Sequence, residues 1–145
     1  MIIDTSLVFS DQQAVTVSAP SINTIDLGVT GTPFGATNPL VRDIGRGEPV
    51  DLSVSVAQAF AGLTSLQVSV QTSPDNATWT TVDSGATVAA AQLVTGYLFR
   101  VPHLVQNASA RYLRLYYTVA GTATQGTINA AIVASRQSNI GAGGV

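Results

Sequence analysis

Three stretches alternate apolar and polar residues with a period of two, and that rhythm is the strongest constraint on what this chain can fold into. Leu52, Val54 and Val56 alternate with serines, and Leu66, Val68 and Val70 with Gln67 and Ser69. Leu113, Leu115, Tyr117 and Val119 alternate with Tyr112, Arg114, Tyr116 and Thr118. The period is that of a pleated strand with one buried side, so each stretch gives one face to a core and the other to solvent or a neighbour. Almost no amphipathic helical pattern competes with it.

Turn chemistry divides the remainder. Ala14–Ser18 alternates until Pro20 breaks it, and Thr24–Leu27 resumes before Gly28. The connection from Gly28 to Pro39, with Phe34 inside it, is long for a compact domain and reads as a functional or interface loop. Ala57–Gly62 suits one helical turn or a bulged connection. Ser73-Pro74-Asp75-Asn76 is a turn with proline where its φ is preset, and Thr78–Val82 returns as a hairpin partner. Ala86–Thr95 reads as a loop or one turn, Tyr97–Val101 as a strand, and Gly121–Gly126 as the turn into a last strand at Thr127–Ala134. The expected fold is all-β: a two-sheet β-sandwich of jelly-roll type, about eight short strands and little or no helix. The expected domain covers residues 1–140, with 1–13 as a candidate N-terminal arm and 141–145 as a flexible Gly-rich tail.

Composition narrows the function. Charged residues make up 10% of the 145, where a soluble domain usually has about 25%. All six basic residues are arginine, so the lysines that commonly guard exposed strand edges are absent. A chain of net charge −2 and mean hydropathy +0.32 is poorly protected against association, which implies a surface covered in an oligomer or larger assembly. The acidic balance argues against phosphate-driven nucleic-acid binding. No cysteine is present for a disulfide or thiolate metal site, and the N-terminus lacks the basic region of a signal peptide. No apolar run approaches the roughly 20 residues that span a bilayer, so no membrane partner is expected.

Candidate sites are few. His103 is the single histidine and has no acidic residue near it in sequence to orient it, so no catalytic residue is assigned. Asp43, Glu48 and Asp51 match no known metal loop, and Arg42 and Arg46 neutralise them locally, so no metal or cofactor is expected. Gly45-Arg46-Gly47 lacks the ending and following helix of a phosphate cradle. Trp79 reads first as a core residue, and only second as a sugar-stacking platform. The stripe Tyr112, Arg114 and Tyr116 is either covered by a neighbouring loop or is a contact surface, since interfaces enrich Tyr and Arg.

The combination Phe9-Ser10-Asp11-Gln12-Gln13-Ala14, Asn23-Thr24-Ile25-Asp26-Leu27-Gly28, Leu40-Val41-Arg42-Asp43-Ile44-Gly45-Arg46-Gly47-Glu48-Pro49 and Arg111-Tyr112-Leu113-Arg114-Leu115 resembles the Bbp16-like capsid cement proteins of tailed bacteriophages. The resemblance implies a non-enzymatic jelly roll on the outer capsid surface of the virion, made in the bacterial host cytoplasm. Its implied partners are the major capsid protein and itself, as a dimer or trimer. Residue chemistry, rather than the resemblance, makes Arg42, Asp43, Arg46, Glu48, Tyr112, Arg114 and Tyr116 the candidate capsid or subunit contacts, since arginine forks pair well with carboxylates and interfaces enrich Tyr and Arg. The alternative is a discoidin-like carbohydrate-binding module or phage surface adhesin, a parallel of fold more than of activity.

Overall fold

The computed structural model describes residues 3–42, 50–101 and 110–135. Seven strands occur among them: β1 (Val8–Ala14), β2 (Ala19–Pro20), β3 (Ile25–Asp26), β4 (Asp51–Ser73), β5 (Thr80–Ser84), β6 (Val88–Ala89) and β7 (Tyr112–Val133). Among the described residues helix is confined to single 3-10 turns at Thr5–Leu7 and Ala90–Gln92. All seven strands join one antiparallel sheet along the path β1-β7-β4-β5, with β2 and β3 also on β7 and β6 on β4.

Two strands dominate. β4 has 23 residues and β7 has 22, and they pair from Asp51 opposite Val133 to Ser73 opposite Tyr112. Straight, such a ribbon would extend about 75 Å. Instead it folds over. Ser10 lies beside Ala130, and its Oγ is 2.7 Å from the hydroxyl of Tyr117. Ala130 and Tyr117 are 13 positions apart on β7, a distance of about 43 Å in a straight strand. The contact therefore requires the two halves of the ribbon to face one another around shared side chains.

The corner is built from register shifts and glycines. Four shifts in the β4–β7 ladder fall between Val56 and Ser65, where bulges bend and twist a ribbon. Gly126 has φ +139, and a Cβ built on it would stand 2.2 Å from the Phe60 ring. Gly62 has φ +87 and leaves 2.7 Å between its missing Cβ and the Thr122 carbonyl oxygen. The flanking segments follow the bend: Val15 N–H donates to Gly126 O, and Ala123 N–H to Thr16 O. On the β4 side Phe60 N–H donates to Leu93 O, and Val56 N–H to Tyr97 O.

The alternation places the core as the sequence indicated. Leu52, Val54, Val56, Leu66, Val68, Val70, Leu113, Leu115 and Tyr117 are buried in one cluster with Phe9, Phe60, Leu93 and Ile128, while Val119 is partly buried against it. The Tyr117 hydroxyl is pushed above its ordinary pKa by burial, and the Ser10 bond offsets this only in part.

The all-β class holds. The sheet, however, is a single open one where two packed sheets of about eight short strands were expected, because β4 and β7 stay paired through the corner. Gly121–Gly126 is part of β7 and forms no chain-reversing turn. The candidate arm, from Val8 onward, is an edge strand on its own chain's β7. The Gly-rich tail lies outside the described residues.

Candidate functional site

The outward stripe of β7 is a braced platform. Arg114 pairs with Gln71 across the sheet, and its Nε donates to Gln71 Oε1 at 2.8 Å. Its guanidinium stacks 4.0 Å from the centre of the Trp79 ring and 5.9 Å from that of Tyr116. Burial lowers the Arg114 pKa from its ordinary value, while the guanidinium stays cationic. Tyr112, Arg114, Tyr116 and Trp79 are all half-buried, so each retains open surface.

A tight turn delivers the tryptophan. Asp75 accepts from the N–H groups of Thr78 and Ala77 at 2.8 and 3.0 Å and from the Ser73 hydroxyl at 2.9 Å. Those bonds, led by the backbone N–H of Thr78, hold its carboxyl at a pKa of about 2. Trp79 thus lies outside the core, contrary to the expectation from its size. The hairpin register carried the signal: Thr72 pairs with Thr80, so Trp79 follows Ser73 onto the face that holds Gln71 and Arg114. The 74–79 turn covers Arg114 and leaves the tyrosines half open.

At the other end of the stripe, Arg111 clamps Asp26 with two bonds of 2.6 Å, Nε to Oδ1 and Nη2 to Oδ2. The Arg111 bonds, followed by the Gly28 N–H, bring the Asp26 carboxyl down to a pKa of about 2. Arg111 also lies 5.0 Å from the centre of the Tyr112 ring. Sequence reasoning did not single out Asp26, whose partner is 85 residues away.

The clamp fixes the start of the 28–42 loop. Leu40 N–H donates to Gly31 O and Ala36 N–H to Pro33 O, both at 3.0 Å, and Arg42 Nη2 donates to Gly28 O. A cleft of about 530 Å³ lies between this loop and the start of β7, lined by Val29, Leu40, Val41, Arg42, Pro74 and Arg111 among others. Arg42 is thereby brought to the same end of the sheet as Tyr112. Asp43, Arg46, Glu48 and His103 lie outside the described residues.

A second cavity, of about 430 Å³, opens on the far half of the ribbon between the N-terminal residues Ile3 and Thr5 and the small side chains of Ser53, Ser55 and Ala131. Among the described residues no group of His, Cys, Asp or Glu is placed to hold a metal ion, and no helix is long and apolar enough to cross a membrane. The sequence model of one family, Bbp16, matches residues 9–132, a span that includes the folded ribbon, the clamp and the platform. No curated protein matches the chain.

Proposed function

This chain belongs to the Bbp16 family, and we propose that it is a capsid cement protein of a tailed phage. In this reading it binds the outer surface of the icosahedral head, bridges capsomers and acts without catalysis, with the folded sheet serving as a jelly roll. The observation that carries the reading is the Trp79–Arg114–Tyr116–Tyr112 platform, held rigid on a sheet and left half open. Aromatic and arginine side chains of this kind anchor protein contacts. The low charge of the chain supports it, since broad uncharged flanks pack against a shell at small desolvation cost.

The partners in this reading are the major capsid protein and further copies of the chain, with a dimer favoured. Arg42, Tyr112, Arg114 and Tyr116 are contacts, together with Asp43, Arg46 and Glu48. Cement action is passive: binding only the assembled shell stabilises it by mass action, and many weak copies add through multivalency. Purified protein should cosediment with emptied, expanded heads of the cognate phage, and Tyr116→Ala should reduce the bound fraction. Unaltered protein left in the supernatant at saturating concentration would remove the reading.

One observation favours glycan binding as a second reading, namely that Trp79 stands on the outer face, where a sugar ring could stack. Arg114 already occupies the tryptophan's neighbourhood at 4.0 Å. A shift in Trp79 fluorescence on adding host surface polysaccharide, without binding to heads, would select that alternative.

A further inference from the structure

The cavity beside the N-terminal segment is supplied with polar atoms that the fold itself does not use. It holds about 430 Å³, within the ~300–1,000 Å³ of small-ligand clefts. Ser53 and Ser55, on the outward face of β4, stand opposite Ala131 and Asn129 of β7, and Asp11 and Asn23 complete the polar lining. The hydroxyls of Ser53 and Ser55 and the carboxylate of Asp11 make no hydrogen bond among the described residues. Two amides have their polarity set by the backbone. Asn129 Oδ1 accepts from the Gln12 N–H at 2.6 Å, and a backbone N–H can only donate, so Nδ2 is the atom left over. Asn23 is the converse case: its Nδ2 donates to Val8 O at 3.1 Å, which leaves its Oδ1.

The unused set is mixed: acceptors at Asp11 and Asn23, a donor at Asn129, and two hydroxyls that serve either way. The Gln12 bond joins Asn129 to the chain position next to Asp11, and Gln12 holds a left-handed φ of 44 within a register shift of β1. Irregular backbone of this kind gathers at binding sites. Ile3, Val8 and Ala131 add apolar surface. Ligand hydroxyls, each a donor and an acceptor at once, match such a set, and the C–H surface of a sugar ring suits the apolar part. We propose that this cavity binds a neutral saccharide of one or two rings, whose hydroxyls pair with the Asp11 carboxylate, the Asn129 amide and the two serines. An acidic sugar would bring like charge to Asp11, and a hydrocarbon ligand would leave the amides and hydroxyls unpaired. An amine is the poorer occupant, because Asn129 Nδ2 is itself a donor and pairs with none of its N–H groups.

The site lies on the half of the ribbon away from Trp79, and its test needs no capsid, so it stands or falls apart from the cement reading. The full chain is titrated by calorimetry and by saturation-transfer NMR with glucose, galactose, mannose, N-acetylglucosamine, maltose, lactose and cellobiose. At least one should bind at about millimolar strength, without shifting the emission of Trp79. Asn129→Asp keeps the acceptor for the Gln12 N–H and removes only the donor, so it should melt as the unaltered protein does and weaken binding about tenfold. Asp11→Asn, at an exposed position, should weaken it by about as much. Competition by purified host surface polysaccharide would support the site with a cell-surface glycan as its source, and binding of the free sugars alone would support it with a soluble one. Absence of binding by every sugar at about 50 mM would overturn the inference. So would affinities within about twofold of the unaltered protein in both folded variants, or a shift of Trp79 emission, since each puts the sugar elsewhere. Tighter binding of putrescine than of any sugar, lost in Asp11→Asn, would make the cavity an amine site instead.

Discussion

The two halves of β7 share a strand, a partner and a core, yet their outer faces differ completely. Residues 112–117 turn Tyr112, Arg114 and Tyr116 outward, and what meets them is Trp79 from a tight turn, Gln71 across the sheet and Arg111 at the end of the stripe. Beyond the corner, the outer face is Asn129 and Ala131 beside Ser53 and Ser55, and the chain's own N-terminal segment lies over it. Ala131 and Ser53 are buried as a result. Asn129 serves the same internal purpose: its Oδ1 accepts from the N–H of Gln12, which holds a left-handed φ of 44. Small residues therefore mark the half that the chain's own N-terminal segment partly covers, and large aromatic and cationic ones mark the half that stays half open.

The comparison breaks first if the halves do not share a core. Leu115→Ala and Ile128→Ala, one on each half and both fully buried, should each cost about 3 kcal/mol and leave a single melting transition. Two transitions would make the halves separate units. Gly126→Ala at the corner should cost about 2 kcal/mol, because its Cβ falls on the Phe60 ring at a strained φ. Phe60→Leu in the same chain should recover part of that loss, and chemical denaturation reads both.

A smaller effect sharpens the functional contrast. Arg114→Ala should cost about 1 kcal/mol through the lost stack and shift the emission of Trp79, the single tryptophan. Asn129→Ala should cost a similar amount by leaving the Gln12 N–H without its acceptor. Only the first should impair binding to heads. Equal impairment would mean that both faces take part.

The buried side of this molecule was legible because alternation is a local signal, and every inward residue named at 52–56, 66–70 and 113–117 is in the core. The turn at Ser73–Asn76 and the 3-10 turn within 86–95 were legible for the same reason. The corner was not. Gly62, Gly121 and Gly126 carry the positive φ of a turn, but here that freedom serves bulges inside continuous strands, a choice made by cross-strand pairing. Half the candidate site was visible as a stripe. Its supports were hidden, since Asp26 and Trp79 reach Arg111 and Arg114 from distant segments whose meeting depends on register.

The smallest expected effect separates the outer face from the core by pH. Asp26 has an ordinary pKa of 3.8 and is held at about 2 in the fold, so its contribution to stability is fully present above about pH 4 and is lost as pH falls through about 2. Asp75, at about 2, behaves alike and acts on the turn that carries Trp79. Tyr117 has the opposite sign: its pKa is raised above 10.0, so its contribution is complete below that pH and is lost as pH rises through the raised value. Acid should therefore loosen the ends of the open platform while the core holds, and strong alkali should attack the core. The Asp26→Asn protein should be less stable than the unaltered one at neutral pH, with the gap closing as pH is lowered from 4 to 2. A gap that stays constant over that range would show that the Arg111 clamp contributes nothing through charge, and that the platform is positioned by the β3–β7 pairing alone.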